Sequence, residues 1–313
     1  MEKKIGLVLS GGGAKGAYEV GVWKALDRLG ILPYIDGIYG TSVGALNAVL
    51  FDTCGTERAE EIWRGLRKRD FFHPGLRKQY DGTPGTLQAQ LLELIIRVAI
   101  EYALSPEKRF DLRRLPYTLT PDLLTPTVDK IVQYIAQNGL PFNQEGILAL
   151  INNNVSFAAQ TRQIVVFCKQ SQSPHSIVPF ELKRFEDKVK PSILLASSAI
   201  PFFYQGSHGI QIGGKGYYDG GAGRQNANTP DREMRADGWE KIITVWLDPR
   251  PQRDRDRTDS DTAVHIVPSS NEIGRFFDGT VRVNAEKIKS DIALGYYDTI
   301  AKSDQLQRLI VNM

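Results

Sequence analysis

Residues 37–51, Gly-Ile-Tyr-Gly-Thr-Ser-Val-Gly-Ala-Leu-Asn-Ala-Val-Leu-Phe, contain the pattern that decides the fold. The short apolar stretch at 37–39 predicts a strand, and the nearly all-apolar stretch at 43–51 predicts a buried helix. Ser42 lies between them, in Gly40-Thr41-Ser42-Val43-Gly44. A serine at such a tight strand-to-helix turn exposes its hydroxyl at a helix N-terminus, and glycines on either side relieve the crowding. Ser42 is therefore a candidate nucleophile, and a serine that only caps the helix is the alternative.

A second unit of the same kind precedes this one. Residues 4–10 predict a buried strand that opens into Gly11-Gly12-Gly13, and a helix is predicted from about 15 to 29. Two consecutive strand–turn–helix units are typical of a parallel α/β sheet. Further strands and a hairpin are predicted at 163–168, 241–247 and 209–218. We therefore predict an α/β fold with three layers, α/β/α, around a largely parallel central sheet.

The 313 residues are expected to form a single catalytic domain with one insertion. The core is predicted at about 5–69 and 155–250, and a C-terminal helical segment at about 270–313. Between the two core parts, prolines break the stretch at about 70–150 into short pieces, which indicates a helical insertion. Within it, 86–104 predicts an apolar helix with one polar stripe. This helix either packs on the core or forms a lid that meets lipid.

Charge and hydropathy limit the classes of partner. The formal net charge is +3 and the sequence pI is about 8.7. This balance is too weak to indicate nucleic acid, and it is compatible with contact with an anionic lipid surface. The apolar stretch near the N-terminus is too short for a signal peptide, and no apolar run is long enough to span a membrane, so a cytoplasmic location is expected. The residues imply no metal or organic cofactor and leave the oligomeric state open.

The glycine-rich loop allows two interpretations. Residues 11–16, Gly-Gly-Gly-Ala-Lys-Gly, satisfy the dinucleotide pattern G-x-G-x-x-G, and Asp36 lies in the following segment, so an NAD or FAD site is one candidate. However, Asp36 precedes the predicted strand at 37–39, whereas the carboxylate that binds the ribose should follow the second strand. The other interpretation is that backbone N–H groups of the loop hold the oxyanion of an acyl-transfer intermediate.

A serine hydroxyl needs a base to take its proton, and the sequence offers two arrangements. Asp219-Gly220-Gly221 indicates a turn that begins with a carboxylate. Ser42, Asp219 and His265 follow the chain order of an α/β-hydrolase triad. His265 lies in the apolar stretch Ala-Val-His-Ile-Val, where a structural histidine is the alternative. The residues themselves leave the triad and a pair without histidine both open.

Four segments, taken in order, carry a family resemblance. They are Gly11–Gly16, Gly40–Gly44, Ala196–Pro201 (Ala-Ser-Ser-Ala-Ile-Pro) and Asp219–Gly221. Together they resemble the four sequence blocks of the patatin-like phospholipase family, over about residues 5–225. The joint pattern is much more specific than any single block.

The resemblance implies a lipid acyl hydrolase that works through an acyl-enzyme with a Ser–Asp dyad and no histidine. Ser42 corresponds to the nucleophile and Asp219 to the base. The oxyanion hole corresponds to Gly11, Gly12 and Gly13. The positions that support these groups are Lys15, Gly16, Gly40, Gly44, Gly220 and Gly221. Lys15 stands where many members have arginine, so a bidentate role is not expected there.

The implied substrates are phospholipids or lysophospholipids, met through peripheral contact with a membrane surface. A non-catalytic lipid-binding module is a further alternative, in which Ser42 would not react.

Overall fold

The computed structural model describes residues 5–71, 143–172, 176–200, 209–222, 227–249, 259–274, 279–280 and 282–311. These residues form an eight-stranded sheet in the order β5-β6-β3-β2-β1-β7-β8, with β4 also paired to β3. The strands are β1 (Ile5–Leu9), β2 (Ile35–Thr41), β3 (Gln163–Gln170), β4 (Ile177–Glu181), β5 (Ile210–Ile212), β6 (Lys215–Asp219), β7 (Lys241–Val245) and β8 (Ala263–Ile266). The pairs between β3, β2, β1, β7 and β8 are parallel, and β4, β5 and β6 pair antiparallel. The predicted largely parallel sheet is confirmed.

Helices cover both faces of the sheet. They are α1 (Ala17–Arg28), α2 (Val43–Cys54), α3 (Thr56–Gly65), α4 (Lys68–Phe71), α5 (Gln144–Asn154), α6 (Lys190–Ser198), α7 (Asp231–Ala236), α8 (Ala285–Ile300) and α9 (Ser303–Val311). Short 3₁₀ turns lie at Gly13–Gly16, Leu32–Tyr34, Phe157–Ala159, Leu182–Arg184 and Asn271–Ile273. Within the described ranges, no helix has the length and apolar character needed to cross a membrane.

The two faces of the sheet carry hydrophobic clusters of unequal size. Because side chains alternate along a strand, Leu7 and Leu9 join the large cluster while Val8 joins the small one. The large cluster takes in side chains of α1, α2, α3, α5, α6, α8 and α9. The small cluster packs against Met234 of α7 and against Trp239. The third layer of the α/β/α arrangement is therefore thin in the described part of the chain.

Strand β3 shares one of its edges between two partners, and this sharing positions the candidate site. Strand β2 pairs with β3 as far as Thr41, which lies opposite Phe167. Strand β6 pairs with β3 from the next position on, with Asp219 opposite Cys168. The other edge of β3 is already occupied by β4 over residues 165–169. Strand β6 therefore continues the line of β2 beyond its end, and Asp219 arrives beside Ser42.

The C-terminal helix α8 belongs to the core although it lies outside the resemblance. It crosses α1 with the two backbones almost in contact, because a Cβ added at Gly295 would lie 2.0 Å from the carbonyl oxygen of Tyr18. The reciprocal contact places Gly21 against the carbonyl oxygen of Ile292. The Tyr18 hydroxyl also donates to Oδ2 of Asp298 at 2.9 Å.

Several predicted boundaries need revision. Strand β2 runs from Ile35 to Thr41, longer than the predicted 37–39, and the predicted strand at 163–168 extends to Gln170. The predicted helix at 86–104 lies outside the described residues, as does most of the predicted insertion, so the division into core, insertion and tail stays a prediction. The short strands β4 and β8 carry no turn or alternation signal that predicted them.

We expect Gly295→Ala to lower the free energy of unfolding by about 1–3 kcal/mol, because the new methyl group forces two packed helices apart. Gly65→Ala is the matched control, since it also lies in a helix but has open space at the Cβ position. The control should be neutral or stabilising by up to about 1 kcal/mol, because alanine favours helix. Urea denaturation of both variants measures the difference, and equal effects would contradict the described crossing.

Candidate active site

Ser42 occupies a strained turn between β2 and α2. Its backbone angles are φ 56° and ψ −125°, and it is the one non-glycine residue with positive φ among the described residues. Such a conformation costs an L-residue about 1–3 kcal/mol and is held only when its surroundings enforce it. The amides of Ala45 and Leu46 donate to the Ser42 carbonyl oxygen, so α2 starts directly after the serine. The predicted strand–turn–helix setting of Ser42 is confirmed.

The glycines on either side of Ser42 are required by close backbone contacts. A Cβ at Gly44 would lie 2.4 Å from the carbonyl oxygen of Leu9, and a Cβ at Gly40 would lie 2.6 Å from the carbonyl of Gly44. The turn is therefore packed against the end of β1 and against its own helix. Any larger residue at either position would displace the serine.

Asp219 is the last residue of β6, and its side chain is only 4% exposed. Burial raises the pKa of its carboxyl group to about 6, and hydrogen bonding with the Ser42 side chain and the Gly221 amide limits the rise. The Gly221 N–H donates to Oδ1 of Asp219 at 2.7 Å. The structure thus brings Ser42 and Asp219 together, with the carboxyl group in a desolvated setting.

The two glycines after Asp219 allow the turn to fit into a crowded place. A Cβ at Gly220 would lie 2.5 Å from the carbonyl oxygen of Phe167 on β3. A Cβ at Gly221 would lie 2.2 Å from Oδ1 of Asn228. The Ala222 amide closes the turn by donating to the carbonyl oxygen of Asp219 at 3.1 Å.

The glycine-rich loop runs from the end of β1 into the 3₁₀ turn at Gly13–Gly16. Gly13 has φ 58°, and a Cβ there would lie 2.4 Å from the carbonyl oxygen of Thr280, so both its conformation and its space favour glycine. Gly11 differs from the prediction. Its N–H already donates to the carbonyl oxygen of Asn228 at 2.8 Å, which leaves Gly12 and Gly13 as the candidate oxyanion donors.

Lys15 and Gly16 attach this loop to the rest of the core. Nζ of Lys15 donates to the carbonyl oxygen of Leu247, just past the end of β7, at 2.8 Å. A Cβ at Gly16 would lie 2.4 Å from Cγ2 of Val43 in the first turn of α2. The lysine therefore makes a single-point contact, as expected from the loss of the planar arginine fork.

Two asparagines support the loop, although no sequence motif indicated them. Asn228 accepts the Gly11 N–H through its backbone and donates from Nδ2 to the Gly11 carbonyl oxygen at 3.2 Å. Asn47 of α2 donates to the Gly16 carbonyl oxygen at 3.0 Å and to Oε2 of Glu19 at 2.8 Å. Burial raises the pKa of Glu19 to about 8, against the effect of its hydrogen bonds with Asn47 and the Ser10 backbone.

A cavity of about 120 Å³ opens beside Ser42, between α2 and α5. Its walls are almost entirely apolar. Its lining residues include Gly13, Ser42, Leu46, Leu50, Ile62, Leu66, Phe71, Ile147, Leu150, Ile151, Leu194 and Val283. An apolar cavity of this kind next to a nucleophile can hold a hydrocarbon chain.

His265 lies away from Ser42. It sits on β8, and β7 and β1 separate that strand from β2, which amounts to three strand spacings or roughly 14 Å. Its Nδ1 accepts a hydrogen bond from Nε1 of Trp246 at 3.2 Å. Its side chain is buried in the sheet layer. The arrangement favours a structural histidine over a member of a catalytic triad.

Asp36 lies at the wrong end of its strand for a nucleotide site. It is the second residue of β2, next to the start of β1, whereas the glycine-rich loop follows the far end of β1. A carboxylate that binds a ribose would lie at the carboxyl ends of the strands, next to the loop. The predicted NAD or FAD alternative therefore lacks its acidic partner.

The strained serine, the buried carboxyl group and the glycine-rich loop define the site of a serine-dependent acyl hydrolase. Comparison with known families agrees, because the model of the family described as patatin-like phospholipase matches residues 7–230. The chain belongs to the patatin-like phospholipase family, a family of lipid ester hydrolases.

Individual relatives match less of the chain. A segment of 49 residues is 55% identical to the lysophospholipase nte1 of Aspergillus terreus, which covers 16% of this chain and 3% of that protein. VipD from Legionella pneumophila is similar in structure over 97% of this chain and 67% of that chain, with 16% identity and a TM-score of 0.50. Human GIVD cytosolic phospholipase A2 has 12% identity and a TM-score of 0.45 over 98% of this chain and 58% of that chain. The match to VipD supports the fold.

The raised pKa of Asp219 predicts how the rate depends on pH. A carboxyl group can take a proton only when it is ionised, so kcat/KM for a soluble ester should rise with pH through a midpoint near 6 and fall away below it. A pH–rate profile measures this midpoint. Glu19→Gln removes the other buried carboxyl group near the loop and should leave the midpoint in place even where the rate falls. A midpoint near the ordinary value of 3.8 would contradict the assignment.

Proposed function

We propose that the protein hydrolyses carboxylic esters of lipids with Ser42 as nucleophile and Asp219 as base. The observation that carries the proposal is the pairing of a strained serine with a buried carboxyl group beside an apolar cavity. Family membership supports the same chemistry. No histidine lies within the pair's immediate surroundings among the described residues, since His265 is on a distant strand.

The first half of the reaction forms the acyl-enzyme. The carbonyl oxygen of the ester lies over the N–H groups of Gly12 and Gly13, which stabilise the negative charge that develops there. Oγ of Ser42 attacks the carbonyl carbon, and its proton passes to Asp219. The C–O bond to the leaving alcohol then breaks, and the alcohol takes the proton from Asp219.

The second half releases the fatty acid. Asp219, again ionised, takes a proton from water while the water oxygen attacks the acyl carbon. The bond to Oγ of Ser42 breaks and the serine recovers its proton. A pKa of about 6 suits both halves, because the group is mostly ionised at neutral pH yet is a stronger base than an ordinary aspartate.

The substrates we propose are phospholipids or lysophospholipids whose acyl chain enters the cavity between α2 and α5. The family description and the name of the lysophospholipase relative support a lipid ester. The apolar lining supports a hydrocarbon chain rather than a polar acyl group. A cytoplasmic protein that makes peripheral contact with membrane surfaces is part of this proposal.

Variants of three residues separate the dyad from a triad. Ser42→Ala should abolish turnover of lysophospholipid and of soluble esters, and Asp219→Asn should lower kcat by about 10²–10⁴-fold because the base is lost. His265→Ala should retain kcat per folded enzyme, since its side chain contacts Trp246 and not the pair. Steady-state kinetics on protein whose folding is checked by circular dichroism gives the answer. A loss in His265→Ala as large as that in Asp219→Asn would establish the triad instead.

The cavity predicts a preference for chain length that can be altered. Ile151→Phe adds volume to the α5 wall, so kcat/KM for long-chain esters should fall relative to the acetate ester by about tenfold or more. Ile288→Phe is the control, because Ile288 is buried in the core at α8 and does not line the cavity. The control should lower stability without changing the ratio. A constant ratio in Ile151→Phe would place the acyl chain elsewhere.

A further inference from the structure

The C-terminal end of α6 contacts the nucleophile through a single buried hydroxyl. Ser197 is 0% exposed and is the second-last residue of the helix. Its Oγ accepts the backbone N–H of Ser42 at 2.9 Å. The same hydroxyl donates to the carbonyl oxygen of Phe167 on β3 at 2.8 Å. Its acceptor and donor capacities are thus used on two different elements.

The same segment also holds the base. Two residues after Ser197, the carbonyl oxygen of Ala199 accepts the backbone N–H of Asp219 at 2.9 Å. A stretch of three residues therefore binds the backbone N–H of both members of the pair. The Phe167 carbonyl oxygen, which Ser197 contacts, is also the atom against which Gly220 packs. The contacts form a closed ring that passes through both Ser42 and Asp219.

The contact with Ser42 matters because of where it falls. The backbone of Ser42 is strained, and such a conformation persists only if its surroundings enforce it. A buried N–H that loses its acceptor carries a desolvation penalty, so removing Oγ of Ser197 would weaken the strained state directly. Relaxation of the turn would move Oγ of Ser42 relative to Asp219, which stays bound to Ala199.

We propose that Ser197 is a positioning residue that fixes the distance between Ser42 and Asp219. This inference rests on the proposed function, since it gives the hydroxyl a task only if the two residues react as a pair. The neighbouring Ser198 does not share this task, because its hydroxyl donates to the carbonyl oxygen of Leu194 within the same helix. The second serine of the Ala-Ser-Ser-Ala-Ile-Pro block is thereby distinguished from the first.

The test uses the full chain, a fluorophosphonate probe and a soluble ester. In Ser197→Ala, the second-order rate of labelling at Ser42 and kcat should both fall, on the order of 10²-fold, because a misplacement of this kind disrupts the reacting geometry. KM should stay within about threefold, since Ser197 does not line the cavity. A labelling amplitude equal to that of the wild type shows that all of the protein is folded and that only the rate has changed.

The pH–rate profile gives a readout that a merely structural role would not move. The hydrogen bonding of Ser42 lowers the pKa of Asp219, so its loss in Ser197→Ala should shift the midpoint upward. The other titratable group facing Asp219 among the described residues is the buried thiol of Cys168, whose pKa is raised by burial and by Asp219. That thiol stays neutral across the range and leaves the shift to Asp219.

Two further variants serve as controls. Thr299→Val removes a buried hydroxyl that also donates to a backbone carbonyl, that of Gly295 at 2.7 Å, but it lies in α8 away from the pair. It should keep the labelling rate within about twofold whatever its effect on stability. Ser197→Thr restores the hydroxyl and should regain much of the labelling rate even if the extra methyl group lowers the melting temperature.

The outcomes separate the two claims. If wild-type Ser42 is not labelled, the proposed function fails and the inference fails with it. If wild-type Ser42 is labelled and Ser197→Ala reacts at the same rate, the inference alone is wrong. The inference is also overturned if Ser197→Ala lowers only the labelling amplitude, because Ser197 would then act on folding and not on geometry.

Discussion

The backbone of Ser42, with φ 56° and ψ −125°, is the constraint to which the rest of the site is fitted. An L-residue adopts this conformation at a cost of about 1–3 kcal/mol, so the surrounding contacts must supply at least that much. They come from close packing of Gly40 and Gly44 and from the start of α2, which together leave the serine no other path. The result is a hydroxyl held at a helix N-terminus beside the carboxyl group of Asp219.

The placement of that carboxyl group follows from how β3 divides its edge. Since β2 ends at Thr41 to form the turn, β3 has unpaired backbone beyond Phe167, and the antiparallel strand β6 takes it up. The fold therefore delivers the base to the point where the nucleophilic turn leaves the sheet. Burial at this junction raises the pKa of Asp219 to about 6, so the same packing that positions the base also strengthens it.

Local features of the site were predictable from the sequence, and long-range ones were not. Hydrophobic periodicity and the glycine pattern predicted both strand–turn–helix units, because those signals come from neighbouring residues. The bond from the Gly11 N–H to Asn228 joins residues more than two hundred positions apart, and no local pattern encodes it. For the same reason, chain order allowed His265 to complete a triad, and only the order of strands in the sheet separated it from Ser42. The close crossing of Gly21 and Gly295 was likewise invisible in either helix alone.

Trapping the acyl-enzyme tests the central claim most directly. The protein is mixed with a long-chain ester, quenched in acid at steady state, digested and examined by mass spectrometry. The account predicts an added acyl mass on the peptide that contains Ser42, present in the wild type and lost in Asp219→Asn. An acyl group on another residue, or turnover of the ester by the wild type with Ser42 unmodified even when the water attack is slowed, would contradict it.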